Sequence, residues 1–175
     1  MRSKLPKEID PLRLAQNGLK LDGQLLLNTM PRLAASLNSD EGVVEAQLAF
    51  DVDEIGTPYM KGELTTEVSM ICERCMSPMT VTLSVNCLLA MVISERKIDA
   101  LAEHYDPWLL ENSDPVSLSK VIEDELILAL PLVPRHTKAC SPKEVWSAGS
   151  DDSEVEEGNK PESPFAILSS LKKKQ

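Results

Sequence analysis

Four side chains in this 175-residue sequence have the types and spacing to share a metal ion. Cys72 and Cys75 frame Glu73 and Arg74, and His136 is followed at short distance by Cys140. Thiolate sulfur and imidazole nitrogen are the ligands that zinc takes, and a Cys-x-x-Cys turn is the spacing at which one bend of chain offers two sulfurs to one tetrahedral ion. The four make a Cys3His set with zinc as the candidate cofactor. The plain alternative is a surface histidine beside ordinary thiols, and the sequence leaves both readings open. A redox pair would need the motif to open a helix after a strand, whereas here it joins two strands. Cys87 lies on the apolar parity of its segment and is expected in the core.

The elements that must position these ligands are patterned with period two. Met60, Gly62, Leu64, Thr66, Val68 and Met70 alternate with charged or small polar residues before the cysteine turn, and Met79, Val81, Leu83, Val85, Cys87 and Leu89 alternate after it. This is the signature of two half-buried antiparallel strands. Val44, Ala46, Leu48 and Phe50 supply a third strand, so residues 42–93 read as a meander. Upstream, Asp10 and Pro11 open a short helix, residues 19–27 read as strand, turn, strand with Gly23 at the turn, and Thr29 caps a short helix whose basic residue is Arg32. Residues 105–110 read as an edge strand. Residues 117–130 carry Leu118, Val121, Ile122, Leu126 and Leu130 on one stripe, with Ser117 or Ser119 as cap and Pro131 as stop, and this long helix is expected to cover the apolar face of the sheet.

The expected fold class is therefore α+β: a single domain over residues 1–145, an antiparallel β-meander covered by a long helix. A disordered acidic linker follows over residues 146–162, too poor in apolar side chains to offset the entropy of ordering. Residues 163–175 read as a short amphipathic helix with Phe165, Leu168 and Leu171 at helical spacing and Lys172 at its basic end. Docking on a partner and folding back on its own domain are both open for that segment.

The net charge is −10, and residues 21–149 hold twenty acids against nine Lys or Arg. Nucleic-acid phosphates bind broad basic faces, so RNA contact is expected only at Arg2, Lys4, Lys7, Arg13 and the terminal lysines, or indirectly through a basic protein. Glu123, Asp124 and Glu125 are read as a solvated acidic patch open to such a partner; successive helical residues diverge too far to converge on one ion. No apolar run approaches the ~20 residues of a membrane span and no export-signal pattern follows Met1, so a cytoplasmic protein with reduced or metal-bound thiols is expected. Seven Gly and two His leave little material for a phosphate loop or a catalytic triad, which favours binding over catalysis.

Read together, several stretches resemble the bacterial YceD family. They are Ile9-Asp10-Pro11 with Arg13, Cys72-Glu73-Arg74-Cys75, the run from Val121 through Pro131, Val133-Pro134 with His136 and Cys140, and Pro164-Phe165-Ala166 with Leu168, Leu171 and Lys172. The resemblance implies a non-enzymatic role in synthesis, processing or stability of large-subunit (23S) ribosomal RNA, with a ribosomal protein or large-subunit assembly factor as the basic partner. Family members from other lineages resemble this chain at the first cysteine pair and carry a dense cysteine cluster after the long helix, where this chain offers His136 and Cys140. The alternative from the residues alone is a small zinc-stabilised protein-interaction domain unrelated to ribosomes.

Overall fold

The computed structural model describes residues 4–110 and 115–140, all within a compact unit of residues Met1–Ser141. Arg2, the acidic linker, and Phe165, Leu168, Leu171 and Lys172 lie outside the described residues.

The order of elements is β1 (Glu8–Ile9), α1 (Pro11–Gln16), β2 (Lys20–Leu26), α2 (Pro31–Ala34), β3 (Val43–Val52), β4 (Pro58–Ile71), β5 (Pro78–Val92), β6 (Asp106–Leu109), β7 (Val116–Ser117) and α3 (Leu118–Ala129). The five larger strands form one sheet in the order β2-β3-β4-β5-β6, antiparallel from β2 to β5, with β6 parallel to β5. β1 and β7 form a separate two-stranded ladder beside the start of α3. The protein is α+β.

The alternation read from the sequence sets which side chains enter the core. Met60, Gly62, Leu64, Thr66, Val68 and Met70 of β4 are buried, while Lys61, Glu63, Thr65 and Glu67 between them are exposed. The one hydroxyl in that buried row, on Thr66, donates to the Val43 carbonyl at 3.0 Å, so it enters the core with its hydrogen bond made. Leu118, Val121, Ile122 and Leu126 of α3 are buried in the same cluster as Leu48, Phe50, Leu64 and Leu83 of the sheet. Burying an aliphatic side chain of this size contributes about 1.5–3 kcal/mol, which is what holds α3 on the strands.

Two local expectations are corrected. Gly23 is not at a turn: β2 is continuous, and Gly23 pairs with Ala46 inside it, because an unbroken ladder to β3 outweighs the turn preference of an isolated glycine. The caps expected of Thr29 and Ser117 are not made by those side chains. Thr29 Oγ1 donates to the Leu26 carbonyl at 2.6 Å, and Ser117 Oγ lies 3.1 Å from Ser119 Oγ. The Leu118 N–H donates instead to the Lys7 carbonyl at 3.1 Å, and α2 is capped from a distance by Glu123. No described helix is long and apolar enough to cross a membrane.

Candidate metal centre

Strands β4 and β5 pair without a break from Tyr59 opposite Ala90 to Ile71 opposite Pro78, so the residues between Ile71 and Pro78 form the tip of a long hairpin. The tip turns tightly. The Cys72 N–H donates to the Ser77 carbonyl at 3.0 Å, the Met76 N–H donates to the Cys72 carbonyl at 2.9 Å, and Met76 adopts a left-handed φ of 57°. The Arg74 N–H points at Cys72 Sγ from 3.4 Å. Backbone N–H groups aimed at a sulfur favour its thiolate form, the form that ligates a metal.

The second pair of ligands arrives from the other end of the chain. Pro131 follows α3, and the extended segment after it docks on the tip: the Glu73 N–H donates to the Pro134 carbonyl at 2.9 Å, and Arg74 Nη1 donates to the Lys138 carbonyl at 3.4 Å. These bonds place His136 and Cys140 against the two hairpin cysteines. Cys72 Sγ lies 3.7 Å from Cys140 Sγ, Cys75 Sγ lies 3.4 Å from His136 Nδ1, and all four ligand atoms fall within 4.8 Å of one another.

These separations can be compared with what a tetrahedral ion requires. With Zn–S near 2.3 Å and Zn–N near 2.0–2.1 Å, a regular tetrahedron has S···S edges of about 3.8 Å and S···N edges of about 3.5 Å. The two observed contacts match both edges within about 0.1 Å. No disulfide joins any of the four cysteines. Cys72 is buried, and Cys75, His136 and Cys140 are half-buried, so the cluster sits at the surface end of the core.

The electrostatics suit a cation. Burial alone would raise the Cys72 thiol, but N–H groups of Arg74, His136 and Cys75 and the Cys140 thiol outweigh it and bring Cys72 down to about 5. Cys140 moves the other way, raised by burial and by the neighbouring Cys75 and Cys72 sulfurs. One sulfur thus holds negative charge while its neighbour keeps a proton, and a divalent ion would displace that proton. Cys87 stays apart: it is buried opposite Gly62 in the sheet, and burial, then Glu125, push it up to about 11.

The other residues singled out in the sequence are placed as follows. Lys4, Lys7 and Arg13 are exposed. Glu123 is buried, which corrects the reading of Glu123, Asp124 and Glu125 as one solvated patch. Its Oε1 accepts the N–H groups of Arg32 at 2.6 Å and Leu33 at 3.1 Å, and its Oε2 accepts Arg32 Nη2 at 2.9 Å. Asp124 is exposed and pairs with Arg32 Nη1 at 2.6 Å. Glu125 is half-buried, its carboxyl raised by burial and then by Asp106 and Asp124. A run of three acids gives no sign in sequence that its first member caps another helix.

Comparison with known proteins gives a consistent answer. Residues 60–172 match the family described as large ribosomal RNA subunit accumulation protein YceD. A curated relative from Haemophilus influenzae, named large ribosomal RNA subunit accumulation protein YceD, is 34% identical over 175 residues, covering 98% of each chain. No solved structure matches. The family match spans both the hairpin tip and the segment that docks on it, and the relative extends the likeness to nearly every residue: the chain belongs to the YceD family.

Proposed function

We propose that this protein supports the accumulation of large-subunit (23S) ribosomal RNA, by binding rather than by catalysis, with a zinc ion held at the hairpin tip by Cys72, Cys75, His136 and Cys140. The likeness to a relative named for that role along 98% of both chains carries the first part. The gathering of all four ligand atoms within 4.8 Å, with two contacts at zinc-tetrahedron edge lengths, supports the second. Four protein ligands leave no open coordination position, and closed sites of this kind are structural rather than catalytic.

The charge distribution suits a basic protein partner, a ribosomal protein or large-subunit assembly factor. Asp124, and the part of Glu125 that reaches the surface, are available to it, whereas Glu123 is occupied internally. Lys4, Lys7 and Arg13 are exposed, which supports their reading as the RNA contacts of the N-terminal segment.

The test is to remove the gene and compare the amounts of large- and small-subunit ribosomal RNA, then restore the gene intact or as Cys75→Ser. Selective loss of the large-subunit RNA, rescued fully only by the intact gene, is expected. Unchanged RNA on removal would overturn the reading.

A further inference from the structure

The clasp that closes the metal centre also gathers charge that lies apart in the sequence. Residues 71–78 and 132–140 hold Arg74, Arg135 and Lys138 against one acid, Glu73. The rest of the described residues hold eighteen acids against nine Lys or Arg. Arg74 comes from the hairpin and Arg135 and Lys138 from the segment docked on it, brought together by the Glu73–Pro134 backbone bond and by the Arg74 guanidinium on the Lys138 carbonyl. All three are exposed, and among the described residues no carboxylate lies within ion-pair distance of any of them. A divalent ion on three thiolates leaves the centre at −1, and adding Glu73 and the three cations still leaves the tip net positive on an acidic protein. Around it Met76, Leu132 and Val133 are 70%, 101% and 51% exposed, an apolar rim that nothing among the described residues covers.

We propose that this tip is an RNA-binding surface, in which Arg74, Arg135 and Lys138 grip the phosphate backbone of ribosomal RNA on a platform that the metal centre holds rigid. The proposal rests on the ribosomal RNA reading above and places a contact away from the N-terminal lysines. Guanidinium groups offer planar, paired donors that match phosphate, and Arg74 keeps donors free while one of its nitrogens is anchored to the Lys138 carbonyl. The acidic remainder repels RNA, so it orients the duplex or strand toward the tip. Ribosomal RNA is favoured over an acidic peptide because the family is named for that RNA.

The test uses the full-length, zinc-loaded chain and a fluorescein-labelled fragment of large-subunit ribosomal RNA, read by anisotropy across a salt series. Changing Arg74→Gln, Arg135→Gln and Lys138→Gln together is expected to weaken binding roughly tenfold or more and to flatten the log-log salt slope by about 2, as for three phosphate contacts to a single strand. Lys61→Gln, Arg96→Gln and Lys97→Gln, exposed cations outside the tip, serve as the comparison set and are expected to change affinity less than twofold. Should the triple variant lose zinc, the single variants Arg135→Gln and Lys138→Gln, whose side chains form no hydrogen bond among the described residues, are read in the same way. Wild-type affinity and slope in the tip variants, absence of RNA binding by the intact chain, or preference for polyglutamate over RNA would each overturn the proposal. If tip variants bind RNA normally and restore large-subunit RNA in the deletion strain, the tip proposal fails while the functional reading stands.

Discussion

Cys72 Sγ and Cys140 Sγ lie 3.7 Å apart although 68 positions separate them in the chain. Closing so long a loop carries an entropic penalty that weak thiol contacts cannot offset, and the Glu73 N–H bond to the Pro134 carbonyl and the Arg74 guanidinium bond to the Lys138 carbonyl share that burden. A metal ion bridging the same atoms would convert the clasp from a set of weak contacts into one cooperative joint. It would tie the end of α3 to the far end of the β4–β5 hairpin.

Glu123 is the second long-range joint, and its loss should be felt at α2. Glu123→Ala leaves the Arg32 and Leu33 N–H groups without their acceptor and is expected to destabilise by about 1–3 kcal/mol; Glu123→Gln keeps the shape and should lose less than half of that. Burial would raise this carboxyl, but the N–H groups of Leu33 and Arg32 and the Arg32 guanidinium outweigh it and hold it below its ordinary value of 4.5. A lowered folded-state value means that the group's stabilisation is complete above the unfolded value and is lost as pH falls through the folded one. Urea melts from about pH 7 down to pH 3 should therefore show a fall in stability as pH drops past 4.5 that is smaller in Glu123→Gln. Equal acid sensitivity in both proteins would remove Glu123 from the account.

Gly62 is needed for a steric reason. A Cβ at that position would stand 2.7 Å from Cys87 Sγ and 3.3 Å from Leu48 Cδ2. Gly62→Ala is expected to lower stability by about 1–3 kcal/mol, as overpacked cores do. Cys87→Ala should recover part of that in the double variant, a coupling that a mutant cycle measures. Additive effects would show that the clash is not with the sulfur.

Met76 pays for its left-handed φ of 57° at the tip. That conformation costs a side-chain-bearing residue roughly 1–2 kcal/mol, and glycine adopts it freely. Met76→Gly should leave melting temperature unchanged or raised and metal binding intact. A marked loss of stability would mean that the exposed Met76 side chain has a packing role in the folded chain.

The strands were readable because burial on one face forces period two, and the parity of Met60, Leu64 and Val68 survives intact in the structure. The Cys-x-x-Cys turn was readable for the same reason: it falls where two such patterns meet. What escaped depends on contacts between distant segments. Nothing near Glu123 in sequence shows that its carboxylate meets the start of α2, and nothing near Arg74 shows that Arg135 and Lys138 will lie beside it. Gly23 misled because a glycine within a strand and a glycine at a turn look alike until the partner strand is known.

The most direct measurement is the metal content of the purified full-length chain, with cobalt(II) substitution to report the ligands. One zinc per chain is expected, with a cobalt spectrum showing thiolate-to-metal charge transfer and tetrahedral d–d bands, and loss of both in Cys140→Ser and His136→Asn. A chain that folds and functions without bound metal, or one whose zinc survives both substitutions, would contradict it.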